Sequence, residues 1–109
     1  MRIKNIQDRT VIYLDGRLDM AFLRSGIEEK LSNTIAQKET KDVIINLKKV
    51  EYVSSSGLRV LINALRKLHD KDGTLKITNM NEEVKKIFQA AQVISLFQVF
   101  DSMEDALKN

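Results

Sequence analysis

The chain has 109 residues, 43% of them hydrophobic, which is enough for one ordinary core and too few for two, so residues 1–109 read as a single domain. With no cysteine and one histidine, His69, disulfides, thiolate metal sites and multi-histidine metal centres are excluded, and no cofactor is expected. The 18 basic and 15 acidic residues, net +3, are spread along the chain, as in a solvated mixed surface rather than a basic stripe, so direct nucleic-acid binding is not implied.

The opening "MRIKNIQDRTVIYLDG" has no continuous apolar run or small-residue cleavage site, and no later segment approaches the length of a membrane span, so the expectation is a soluble, cytoplasmic protein. Within it, "RIKNI" and "TVIYLDG" are rich in β-branched and aromatic residues and flank the polar turn "QDR". They read as a β-hairpin that Gly16 ends. Asp19 then suits the N-cap of a helix in which Leu23, Ile27, Leu31 and Ile35 recur every four residues. Phe22 falls off that stripe and is expected to be partly exposed.

"DVIINL", residues 42–47, is an unbroken apolar run, the pattern of a strand at the centre of a sheet. From Gly57 onward Leu58, Leu61, Ile62, Leu65 and Leu68 keep helical spacing, with Arg59, Asn63, Arg66, Lys67 and Asp70 between them. That is an amphipathic helix of about four turns. "KDG" breaks it and "TLKIT" is the next strand. "NEEVKKIFQAA" offers Asn81 as a cap, two acids in the first turn, and an apolar face of Val84, Ile87, Phe88 and Ala91. "FQVF" reads as a brief strand, and in "SMEDAL" Ser102 caps a last helix. The order β-β-α-β-α-β-α-β-α argues for an α/β domain with a mixed, largely parallel sheet and helices packed on it.

Between the central strand and the most periodic helix stand Ser54, Ser55, Ser56 and Gly57. The ordinary role of serine there is N-cap, with its neighbours in the loop. The other reading is a modified or nucleophilic serine, placed where free helix amides favour an anion. A hydrolase elbow needs glycine two positions before its serine, where Val53 and Ser54 stand instead. His69 falls in a last helical turn, where it suits a C-terminal cap better than a general base. The glycines and lysine of a phosphate-binding loop are also absent. No acid, base or metal set converges on the serines, so the chain reads as a non-enzyme, and the chemistry left for a functional serine is phosphorylation. A phosphate adds about −1.5 to −2 charge at neutral pH, enough to rewrite a binding surface.

"VIINLKKVEYVSSSGLRVLINAL" resembles the signature of the STAS domain, in particular the bacterial anti-sigma-factor antagonists, whose strand runs through "DLS-x-V-x-x-[IVM]-D-S-[SA]-G-L". The likeness continues in "GRLD", similar to that family's "G-x-L-D", and in "EEVKKIFQAAQVISLFQVFDSMEDAL", similar to its C-terminal helix, strand and final helix. The resemblance implies a partner-switching regulator of transcription. Its phosphoacceptor falls on Ser55, with Ser54 and Ser56 as fallbacks, and its partner is an anti-sigma factor that is also a serine kinase. The unmodified protein binds that kinase and frees the sigma factor, and the phosphorylated form lets go. A phosphatase would reset the switch; ATP and magnesium belong to the kinase.

The same resemblance places partner contacts on Asp19, Ser54, Ser56, Gly57, Arg59 and Asn63. The residues by themselves leave Asp19 open as a helix cap, and Arg59 and Asn63 as a solvated helix face. Three positions depart from the family pattern: Ser54 in place of aspartate, Asn46 in place of an acid, and Gln92 where glycine is frequent. The substitution at Ser54 supports a rival reading, a constitutive STAS adaptor in a sensory or transport assembly whose serines only cap the helix. Oligomeric state stays open, with Met20 and Phe22 as candidate interface residues.

Overall fold

The computed structural model describes residues 1–109. Five strands form one mixed sheet in the order β1-β2-β3-β4-β5. β1 (Arg2–Ile6) and β2 (Arg9–Leu18) make the antiparallel hairpin; β3 (Asp42–Val53), β4 (Thr74–Thr78) and β5 (Gln98–Phe100) each add in parallel. The hairpin turn is only Gln7 and Asp8, both at positive φ, because a two-residue link must follow the right-handed twist of its strands. The central place expected for "DVIINL" is correct.

The hairpin's second strand does not stop at Gly16. β2 runs on to Leu18, with Gly16 at φ +82°, and β3 continues past Leu47 to Val53. β3 carries two extra residues relative to β2, as the pairs Tyr13↔Asn46, Asp15↔Lys49, Gly16↔Val50 and Arg17↔Tyr52 show. Such bulges re-aim side chains and strengthen local twist. Asn46 supports the first, its Oδ1 accepting from the Lys48 amide at 2.8 Å.

The helix expected from Asp19 is broken into three pieces. Asp19 caps a single turn, α1 (Met20–Phe22), a π-helical turn follows over Leu23–Ile27, and α2 covers Glu28–Ala36. The break falls on Gly26, whose φ of +109° no helix accommodates. Phe22 is half-buried, and Leu23, Leu31 and Ile35 are buried as their spacing predicts.

α3 (Ser55–Asp70) starts two residues before Gly57 and lays Leu58, Leu61, Ala64 and Leu68 on the sheet. It ends at Lys71, whose ammonium donates to the Ile35 and Gln37 carbonyls at the end of α2. α4 (Glu82–Ala90) buries Val84 and Phe88, and Phe88 meets Phe97 edge to face at 5.8 Å. Ala91, expected on that apolar face, is instead the exposed C-cap, because the helix stops one residue earlier. A 3-10 turn at Ile94–Leu96 leads into β5.

One face of the sheet carries the main core with α2, α3 and α4. The other carries only α5 (Met103–Lys108), seated on Val11 and Ile44 through Ala106. Two cations from the sheet hold the carbonyl end of α5: Lys76 Nζ donates to Ala106 O at 3.0 Å and Arg9 Nη1 to Leu107 O at 2.6 Å. They complement the negative end of the helix. Burial, and next the charge of Arg9, push the Lys76 ammonium below its ordinary pKa, partly offset by Asp42.

Candidate functional site

The strand pair Leu18↔Val53 brings two helix starts side by side, since Asp19 and Ser54 are the residues that follow. Asp19 Oδ1 accepts from the Phe22 amide at 3.0 Å and so caps α1. Ser54 caps α3: its Oγ accepts from the Gly57 amide at 3.2 Å and donates to Leu18 O at 3.1 Å, while its own amide reaches the same carbonyl at 2.9 Å. The turn is thereby stitched to the end of β2. Serine does here what the aspartate of the resembling pattern could do only in part, because a carboxylate accepts but cannot donate.

Gly57 is buried against that junction. A Cβ there would lie 2.5 Å from Leu18 O and 2.9 Å from Val53 Cγ1, so only glycine lets the first turn of α3 sit against the ends of β2 and β3. With Ser54 as cap, Ser55 is the first helical residue and is exposed, and its hydroxyl takes no part in the cap. The Ser55 and Ser56 amides precede the first intrahelical bond, which the Leu58 amide makes to Ser54 O. Those free N–H groups and the helix dipole make the position hospitable to negative charge.

Ser56 is half-buried and lines a shallow groove with Arg59 and Asn63 of α3 and with Met20, Leu23 and Arg24 from the segment after Asp19. Arg59, Asn63 and Met20 are exposed, Met20 by 48%. The structure therefore gathers Ser56, Arg59 and Asn63 in one groove, uses Asp19 and Ser54 as helix caps, and leaves Ser55 exposed next to Ser56 but outside the groove's lining. Gly57 offers no surface, only position.

Two further residues border this region: Arg17, whose guanidinium lies 4.4 Å from the Tyr52 ring centroid and 3.7 Å from Asp19 Oδ2, and Tyr52 itself. Arg17 stands in the quoted "GRLD" stretch, but its stacking depends on the Arg17↔Tyr52 register, set by the second bulge and invisible to local sequence reading. His69 lies in the last turn of α3, roughly 20 Å from Ser55 by helical rise, so it cannot serve that hydroxyl as a base.

Comparison with known proteins agrees with this architecture. A family model described as the STAS domain matches residues 1–106. The anti-sigma-B factor antagonist of Staphylococcus aureus is 27% identical over 93 residues, covering 85% of this chain and 84% of that protein. A structure from Thermotoga maritima, described as a candidate anti-sigma factor antagonist, superposes with a TM-score of 0.89 at 16% identity, covering 98% and 91% of the two chains. The Bacillus cell fate determinant SpoIIAA, solved in a phosphorylated form, superposes with a TM-score of 0.73 at 23% identity, covering 98% and 96%. At such identities the superpositions speak for the fold.

Proposed function

The chain belongs to the STAS domain family, and we propose that it is an anti-sigma-factor antagonist whose grip on its partner is switched by phosphorylation of Ser55. The unmodified protein binds an anti-sigma factor that is also a serine kinase, through the groove of Ser56, Arg59 and Asn63 and the adjoining Asp19 turn, and so frees a sigma factor. The kinase brings ATP and magnesium, and a phosphatase restores the hydroxyl. The relatives named anti-sigma factor antagonists support the partner class, and SpoIIAA supplies a precedent for a phosphorylated form.

The observation that carries the reading is the division of labour between adjacent serines. Ser54 holds the helix cap, so Ser55 is exposed with its hydroxyl outside the fold's hydrogen bonding. A phosphate on Ser55 would meet the free amides and positive end of α3, which the fold tolerates. In a closed interface the same group carries an added charge that must be desolvated, which the interface does not tolerate.

The test is a pull-down from the native host's lysate with wild type, Ser55→Ala and Ser55→Asp as baits, followed by phosphosite mapping after addition of ATP. Capture of an anti-sigma factor by wild type and Ser55→Ala, its loss with Ser55→Asp, and phosphate on Ser55 is the expected result. Identical partners for all three baits and no phosphate would replace the switch with a fixed adaptor, the reading favoured if the Ser54 cap is all that the serine run provides.

A further inference from the structure

The face of the sheet that α5 covers is only partly covered. α5 sits on Val11 and Ile44, and the next residues outward on the same side of β2 and β3 are Tyr13 and Asn46. They form the floor and wall of a groove completed by Arg2, Asp15, Lys48 and Lys49. Asn46 is only 7% exposed. Its Oδ1 is engaged by the Lys48 amide, which fixes the orientation of the side-chain amide and leaves the Nδ2 donors as the end available to the groove.

The first β3 bulge gives this floor a cationic rim. In a regular strand Lys48 and Lys49 would face opposite sides of the sheet; the extra residue lets both line the groove. Arg2, paired with Tyr13 across the hairpin, stacks its guanidinium 4.6 Å from the ring centroid at the same place. Three cations and an uncommitted amide face one carboxylate, Asp15. Where the resembling pattern carries an acid, this chain presents a neutral donor at Asn46.

We propose that this groove is a binding site for a small phosphate monoester. A planar guanidinium, two ammonium groups and a carboxamide N–H offer more donors than the two oxygens of a carboxylate can use, and they match a tetrahedral dianion. Tyr13 and Asn46 face the α5 side of the sheet, while Met1 and Leu14, which also line the groove, pack with the main core; the groove shares no residue with the one beside Ser55 and does not depend on the switch there.

Titration of the full-length chain with glycerol 3-phosphate at fixed ionic strength, followed by NMR, tests it. Saturable shifts are expected at the Asn46 side-chain amide and at Lys48 and Lys49, with malonate binding more weakly. Asn46→Asp keeps the acceptor for the Lys48 amide while removing the donors, and Lys48→Glu reverses one rim charge. Each is expected to weaken binding about tenfold or more, the size of a lost charge-assisted contact. Arg66→Glu, an equal charge change on exposed α3, is expected to leave affinity within about twofold, since screened distant charges matter little.

Shifts scattered over surface lysines, equal or tighter binding of malonate, or unchanged affinity in Asn46→Asp would overturn the proposal. So would sedimentation with phosphatidic acid vesicles that depends on Asn46 while glycerol 3-phosphate produces no response, because the ligand would then be a lipid surface.

Discussion

At the β3–α3 junction one serine, one glycine and one carbonyl decide how the strand becomes a helix. Leu18 O receives the Ser54 amide and hydroxyl, and it is also the atom nearest to a Cβ at Gly57. Gly57→Ala must therefore push α3 off the end of β2, and overpacking of this kind costs about 1–3 kcal/mol. Ser55→Ala alters an exposed side chain outside the cap and should stay within about 0.5 kcal/mol of wild type. Urea unfolding measures both, and a Gly57→Ala midpoint equal to that of Ser55→Ala would refute the steric account. Capping was the residue-level feature most open to sequence reading, because a cap needs only its own side chain and the next three residues. Asp19, Asn81 and Ser102 all cap the helices expected of them. The roles of Arg17 and Asn46 could not be read that way. Each depends on which residue lies across a strand pair, and bulges shift that register without a local signature.

Elements were legible where hydrophobic period and length agree, and less so at their ends. The α3 stripe, the buried β3 run and the final capped turn all occupy their expected places, whereas β2 and β3 extend beyond the apolar runs that announce them. Their last residues are held by pairing to each other, a long-range cause. The break at Gly26 is similar: a fourfold apolar repeat runs through it, and only the positive φ shows that the chain changes direction there. The end of α4 provides a test of how such conformations are held. Gln92 sits at φ +59° just after the C-cap Ala91, the left-handed position that favours glycine. Gln92→Gly relieves the side-chain strain but adds freedom to the unfolded chain, for a net gain of about 0.5 kcal/mol. A higher urea midpoint would bear this out; a lower one would mean that the Gln92 side chain contributes more than its conformation costs.

Over the whole molecule, the two faces of the sheet are stabilised by different means. The α2–α3–α4 face is a continuous apolar core, while the α5 face combines a few apolar contacts with the buried Lys76 ammonium bound to a helix carbonyl. That lysine couples folding to pH. Its proton is held less tightly in the folded protein than in the unfolded chain, with burial the main cause, Arg9 adding to it and Asp42 opposing it. Below the folded pKa the group is charged in both states, and the cost of burying the charge is present in full. As pH rises through that lowered value toward the ordinary lysine range, the unfolded chain holds more protons, so this group's contribution to stability increases with pH. Lys76→Met removes the titration while keeping a long side chain under α5. Other groups titrate in both proteins, so the informative quantity is the difference in unfolding free energy between wild type and Lys76→Met. That difference is expected to be flat near neutral pH and to move in favour of wild type as the solution becomes alkaline. A constant difference across the range would show that the ammonium is solvated in the folded protein, and a shift in the opposite direction would mean that the Ala106 carbonyl stabilises the charged form more than burial opposes it.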